Sequence, residues 1–150
     1  MNYFSLLSLP QHFSLDIAQL EQAYFREQRA FHPDRFIGKP ATEKHTALQR
    51  SMDINQAYDR LKHPLKRAQH LLALQGMVVG TERDSIKPLP SLLLEVMELR
   101  ESPPPKEAVE KLIEESIAHI ARHDADKCWD AMAHETLRLG YLIKIRGEAT

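Results

Sequence analysis

The chain has 150 residues, 20 Lys+Arg against 21 Asp+Glu, 43% hydrophobic and 27% charged, a globular rather than disordered composition that allows one domain or two small ones. No apolar run nears the ~20 residues that span a bilayer, no basic segment followed by a long apolar stretch opens the chain, and the single Cys128 rules out a disulfide framework or a cysteine-rich zinc module, so a cytoplasmic setting is the expectation. Residues 1–75 hold 10 Lys+Arg and 7 Asp+Glu, residues 76–150 hold 10 and 14; neither half has the basic face that nucleic acid calls for, and the split points to two surfaces with different protein partners.

Spacing along the chain is helical throughout, with no period-two strand, repeat or low-complexity tract. Tyr3-Phe4-Leu6-Leu7 predicts a short first helix ending before Pro10. Asp16 caps a second, with Gln19 as its capping-box partner. Ile17, Leu20, Tyr24 and Phe31 share one arc of that helix, while Gln22, Arg26 and Arg29 lie opposite, a wet and positive face. Pro33 ends it by disfavouring α geometry at His32, and Gly38 and Pro40 mark a loop. A third helix is expected from about Thr42 to Lys62, with Leu48, Met52, Tyr58 and Leu61 inward. Pro64 breaks it, and Ala68 to Leu74 form a further helix closed by Gly76. Glycine and prolines make 77–90 a linker. Three amphipathic helices follow. The first covers 91–101 and stops at Pro103-Pro104-Pro105. The second starts near Pro105 and turns Val109, Leu112, Ser116, Ile117 and Ile120 to one side. The third is capped by Asp126 and places Trp129, Met132, Thr136, Leu139 and Ile143 on one face. The expected architecture is all-α: a helical hairpin in 1–76 and a three-helix bundle in 77–150.

His32-Pro33-Asp34 sits between two antiparallel amphipathic helices. It holds an acid on a rigid proline beside Arg26 and Arg29, where it can offer Asp34 to an arginine of a partner while the basic face steers toward an acidic groove. With Ala23-Tyr24 before it, Ile54-Asn55-Gln56-Ala57-Tyr58 to Leu61 after it, and Pro64 and Lys66-Arg67 beyond, the first 75 residues resemble the J-domain family of co-chaperones. The resemblance implies docking on a DnaK-class chaperone and stimulation of its ATP hydrolysis, carried by His32, Pro33, Asp34, Arg26 and Arg29. The second helix, Tyr24-Phe25-Arg26-Glu27-Gln28-Arg29-Ala30-Phe31, lacks the lysine-rich run of many J-domains, and weaker steering or a specialised chaperone is expected.

Beyond that segment, the run from His63-Pro64-Leu65-Lys66-Arg67-Ala68 to Leu71-Leu72-Ala73-Leu74-Gln75-Gly76, the helix Leu92 to Glu101 and the opening Tyr3 to Pro10 resemble the HscB type, co-chaperones of iron–sulfur cluster assembly. The resemblance assigns the C-terminal bundle to an IscU-type scaffold and the chaperone role to an HscA-type ATPase. It puts the scaffold-facing positions at Leu93, Leu94, Met97, Glu98 and Glu101, with Tyr141 on the last helix. Helical spacing alone separates two stripes on residues 92–101: Leu92, Val96 and Leu99 on one arc, and Leu93, Leu94, Met97, Glu98 and Glu101 on another. A bundle helix needs one stripe for its core, and the second has the composition of a docking patch. The triple proline departs from the family and shortens that face.

His119 and His123 stand four apart, as two metal ligands on one helix can, and Cys128 is a conceivable third. A J-domain protein serving another client is the alternative within the class, and a metal-binding protein built on these three is the alternative from another class, against which Arg122 beside the pair counts. Cys128 next to Trp129 reads most simply as a partly buried core residue. There is no Gly-x-Ser-x-Gly elbow and no glycine-rich phosphate loop. The expectation is therefore a monomeric interaction protein, not an enzyme, with no metal or other cofactor of its own.

Overall fold

The computed structural model describes residues 1–80 and 83–148, and among these the secondary structure is entirely helical. Seven α-helices follow in order: α1 (Tyr3–Leu6), α2 (Ile17–Phe31), α3 (Ala41–Lys62), α4 (Pro64–Leu74), α5 (Pro90–Glu101), α6 (Lys106–Ala125) and α7 (Trp129–Glu148), with a 3-10 turn at Pro33–Phe36. The chain divides into two compact units, Met1–Arg67 and Ala68–Thr150, so the division falls inside α4, ahead of the seam that glycine punctuation places at residue 76.

In the first unit, local chemistry sets each helix end. Asn2 Oδ1 accepts from the Phe4 and Ser5 N–H groups at 3.0 and 3.2 Å, and Asp16 Oδ1 accepts from Ala18 N–H at 2.9 Å. These bonds satisfy donors that a helix start leaves open. α2 stops because His32 is extended (φ −63°, ψ 135°) ahead of Pro33. α3 returns antiparallel to α2, as the cross-links show. Tyr24 Oη donates to Asn55 Oδ1 at 2.8 Å, and four residues later Gln28 meets Ser51, whose Oγ donates to Gln28 Oε1 at 3.0 Å. The Tyr24 and Tyr58 rings stack with centroids 4.3 Å apart.

The core gathers Phe4, Leu7, Phe13, Leu20 and Ala23 against Ala47, Ile54, Ala57 and Leu61. Three residues expected inward point outward instead: Ile17, Leu48 and Met52 are 42%, 50% and 57% exposed. The buried row of α3 is Ala47, Ser51, Ile54, Ala57 and Leu61. Leu48 and Met52 each follow a small member of that row by one residue, about 100° around the helix. Small side chains let α2 approach α3 closely, so the heavier apolar residues are not the ones enclosed.

In the second unit α4 ends in a Schellman motif. Met77 N–H donates to Leu72 O and Gly76 N–H to Ala73 O, both at 2.9 Å, and Gly76 has φ +81°. Within 77–90, Val79 is buried, and Val78 N–H donates to Ser85 Oγ at 2.8 Å. α7 is the central helix, burying Met132, Ala133, Thr136, Leu137, Leu139, Leu142 and Ile145. α6 packs antiparallel to it, with Glu110 facing Arg146 at 3.5 Å and Ser116 Oγ donating to Glu135 O at 3.4 Å. α5 runs in the same direction as α7, with Glu95 facing Arg138 at 2.7 Å and Arg100 facing Glu148 at 3.2 Å.

Two expectations at the α6–α7 turn change. Asp126 closes α6 as its C-cap rather than opening α7. Cys128, expected to be partly buried, is exposed. A second Schellman arrangement accounts for both: Cys128 N–H donates to His123 O and Lys127 N–H to Asp124 O, with Lys127 at φ +56°. The turn consumes 126–128 and leaves Cys128 outside the packed face. On α6 the enclosed row is Val109, Ile113, Ser116 and Ile120, while Leu112 and Ile117 are half-buried.

Candidate functional site

The tight corner after α2 is built by its own backbone. Asp34 N–H donates to His32 Nδ1 at 3.2 Å, and Arg35 N–H donates to His32 O at 2.9 Å, closing the 3-10 turn begun by Pro33. The Asp34 carboxylate stands out from this turn with its side chain 82% exposed, 3.6 Å from His32 Nδ1. His32, Pro33, Asp34, Arg26 and Arg29 are all exposed. Arg26 is partly committed: its Nη2 donates to Leu7 O at 3.2 Å, and its Nε lies 3.8 Å from Glu27. Arg29 keeps its place on a concave surface lined by Phe25, Gln28, Arg29, His32, Asp34 and Arg35. Phe25, 57% exposed, completes that surface and is not among the site residues expected from the sequence. Its signal is an aromatic residue lying off the apolar arc of α2 and beside Arg26. The assembly offers one carboxylate at a stiff, water-facing corner next to the Arg29 and Arg35 guanidinium groups, suited to charge-assisted pairing with a partner arginine and to steering onto an acidic surface.

On α5 the two stripes separate as the spacing predicts. Leu92 and Val96 are buried and Leu99 half-buried. On the other side Leu93, Leu94 and Met97 are 44%, 59% and 55% exposed, with Glu98 and Glu101 exposed beside them. Tyr141 on α7 is half-buried, with Lys144 Nζ 5.8 Å from its ring centroid. Contiguous leucine and methionine edged by carboxylates form a surface that gains from losing water and tolerates basic neighbours on whatever covers it.

Charge pairing behind α5 centres on Arg138. It donates through Nε to Glu95 at 2.7 Å and through Nη1 to Glu135 at 3.0 Å. Burial alone would lower the pKa of this guanidinium, but the two carboxylates raise it above its ordinary value. No sequence signal brings out this trio, because Glu95 and Arg138 meet only through the packing of α5 on α7. The histidine set of the metal alternative is not assembled: His119 Nδ1 lies 3.6 Å from Glu135, and no group of three or more His, Cys, Asp or Glu side chains able to hold a metal occurs among the described residues. No helix among the described residues is long and apolar enough to cross a membrane.

No protein-family model matches the chain. Solved structures do. One is the chaperone HscB from Vibrio cholerae, with a TM-score of 0.82 and 31% sequence identity over 99% of this chain and 94% of that one. Another is the human co-chaperone protein HscB, with a TM-score of 0.83 and 26% identity over 99% of this chain and 80% of that one.

Proposed function

This chain belongs to the HscB family of co-chaperones, and from that premise we propose that it brings an IscU-type iron–sulfur scaffold to an HscA- or DnaK-class chaperone and stimulates the chaperone's ATP hydrolysis. The corner His32-Pro33-Asp34, with Arg26 and Arg29, docks on the ATPase. The outer face of α5, Leu93, Leu94, Met97, Glu98 and Glu101, together with Tyr141, holds the scaffold. No residue here acts on nucleotide; hydrolysis takes place on the partner, in the cytoplasm. The chain works as a monomer whose contribution is proximity. Carrying two modest contacts on one polypeptide turns the second encounter into an intramolecular one and raises effective concentration without adding contacts.

The exposure of the Asp34 carboxylate carries this reading. A rigid turn that presents an acid with 82% of its side chain in water does no packing work for its own domain and leaves the carboxylate open to a group outside the chain. Asp34→Asn keeps the volume and the turn while removing the charge. ATPase stimulation should fall to the unstimulated rate, with the thermal unfolding midpoint and scaffold affinity unchanged. Stimulation equal to that of the unaltered chain would refute the docking role.

A further inference from the structure

A cleft of about 480 Å³ opens between the start of α5 and the first half of α7, a size within the range of ligand pockets. Leu89, Leu92 and Ala131 supply its apolar wall, and Ser91, Glu95, His134 and the Glu135–Arg138 pair supply its polar groups. Arg138 is already committed to both carboxylates, so one cation stands against two anions and an anionic guest would enter against net negative charge. His119, which does not line the cleft, approaches Glu135 from α6 at 3.6 Å.

His134 lines the cleft beside these groups. Its Nδ1 is buried and finds no hydrogen-bond partner among the described residues. An atom closed to water is closed to a guest as well, so the charge preference of the cleft rests on Glu95 and Glu135 against Arg138. A suitable guest therefore has an apolar stem for Leu89, Leu92 and Ala131 and a cationic head for Glu95. Lysine and arginine side chains have that form. Glu95 and Glu98 are neighbours at i, i+3 on α5, which makes the polar edge of the cleft continuous with the acidic border of the Leu93–Leu94–Met97 face.

We infer that the cleft between α5 and α7 receives a lysine or arginine side chain of the protein docked on the outer face of α5. The inference rests on the scaffold reading above and specifies its partner: a surface on which a basic residue stands beside an apolar patch.

Two measurements on the full chain test it. In the first, N-acetyl-lysine methylamide is titrated while the Ala131 methyl and His134 ring signals are followed by NMR, with the isosteric norleucine derivative as the uncharged control. Saturable shifts with the lysine compound, at least five-fold weaker with norleucine and lost in Ala131→Leu, are expected. Glu95→Gln should weaken the lysine compound without filling the cleft, which separates loss of charge from loss of space. In the second, scaffold affinity is compared between the unaltered chain and Ala131→Leu, and a weakening of five-fold or more is expected. Absence of lysine-specific shifts, or equal scaffold affinity in Ala131→Leu, overturns the inference. If no scaffold binds even the unaltered chain, the scaffold reading falls, and with it the assignment of the guest to a docked partner. The NMR titration then reports on the cation preference of the cleft alone.

Discussion

Replacing Leu93, Leu94 and Met97 together by glutamine separates docking from folding on a single helix. These side chains are 44%, 59% and 55% exposed, so about half of each remains in water. Full burial of such a side chain is worth about 1.5–3 kcal/mol, which leaves about 1 kcal/mol each to be gained when a partner covers them. The sum, about 3 kcal/mol, corresponds to roughly a hundred-fold in Kd before non-additivity trims it. Glutamine has nearly the helix propensity of leucine and methionine, and the part of each side chain that is covered on an open helix is shaded largely by the helix itself. Folding stability should therefore change by less than about 1 kcal/mol. Leu92→Ala on the inward row is the counterpart. Leu92 is 9% exposed, and its truncation should cost about 2–5 kcal/mol, a fall in Tm on the order of 10 °C at this chain length. Calorimetric titration with the scaffold and thermal unfolding by circular dichroism read the two quantities separately. A triple variant that melts as early as Leu92→Ala would show that the outer row is packed. One that melts normally and binds scaffold within two-fold of the unaltered chain would show that this face docks nothing.

Three further outcomes follow from local geometry. Lys127 holds φ +56° in the α6–α7 turn, a region that costs an L residue about 1 kcal/mol and glycine little, so Lys127→Gly should raise stability by about 0.5–1 kcal/mol in urea unfolding; a loss would show that the Lys127 side chain matters more than its backbone. The Asp59 carboxyl is held below its ordinary value first by its hydrogen bond from Lys66 at 3.1 Å, against desolvation, with the charges of Lys66, His63 and Arg60 adding to the lowering. A depressed folded-state value favours the fold above the ordinary carboxylate range, and that contribution is lost as pH falls through the lowered value. In Lys66→Met the Asp59 carboxyl should titrate by NMR closer to the ordinary range, and an unmoved titration would remove Lys66 as the cause. Arg67 is 6% exposed, lies over the Phe13 ring at 4.6 Å and donates to Leu61 O at 2.8 Å; burial lowers its pKa. Arg67→Lys keeps a desolvated charge but loses the planar stack, so it should cost about 1–3 kcal/mol and more than Arg67→Met, an order that thermal unfolding can reverse or uphold.

Elements whose ends are written in local chemistry were legible before any coordinates. Asp16 caps α2, Pro33 ends it through His32, Gly76 closes α4, and the triple proline follows α5. In each case a single residue type has one backbone geometry it serves best. The two stripes of α5 were legible for a related reason: Leu92 and Val96 on one arc and Leu93, Leu94 and Met97 on another are all large, so periodicity reports both faces. The His32-Pro33-Asp34 corner was legible as a motif, and its exposure follows from having no apolar residue to bury.

Where the reading failed, hydrophobic weight and packing disagreed. Helix α3 carries Leu48 and Met52 outside and Ala47, Ser51 and Ala57 inside, because closeness of approach to α2 is gained by small side chains and not by large ones. A scale that rewards size rotates the helix by one residue. The α6–α7 turn failed differently, since a left-handed residue usually announces itself as glycine and here it is Lys127. The Glu95–Arg138–Glu135 trio and the unpaired His134 Nδ1 lie at a third level. They depend on which helices become neighbours, and each residue alone reads as part of a solvated helix face. The His32-Pro33-Asp34 corner is encoded by consecutive residues and is visible as such. The cleft beside α5 is assembled from two helices more than thirty residues apart, so its chemistry exists only once α5 has packed on α7.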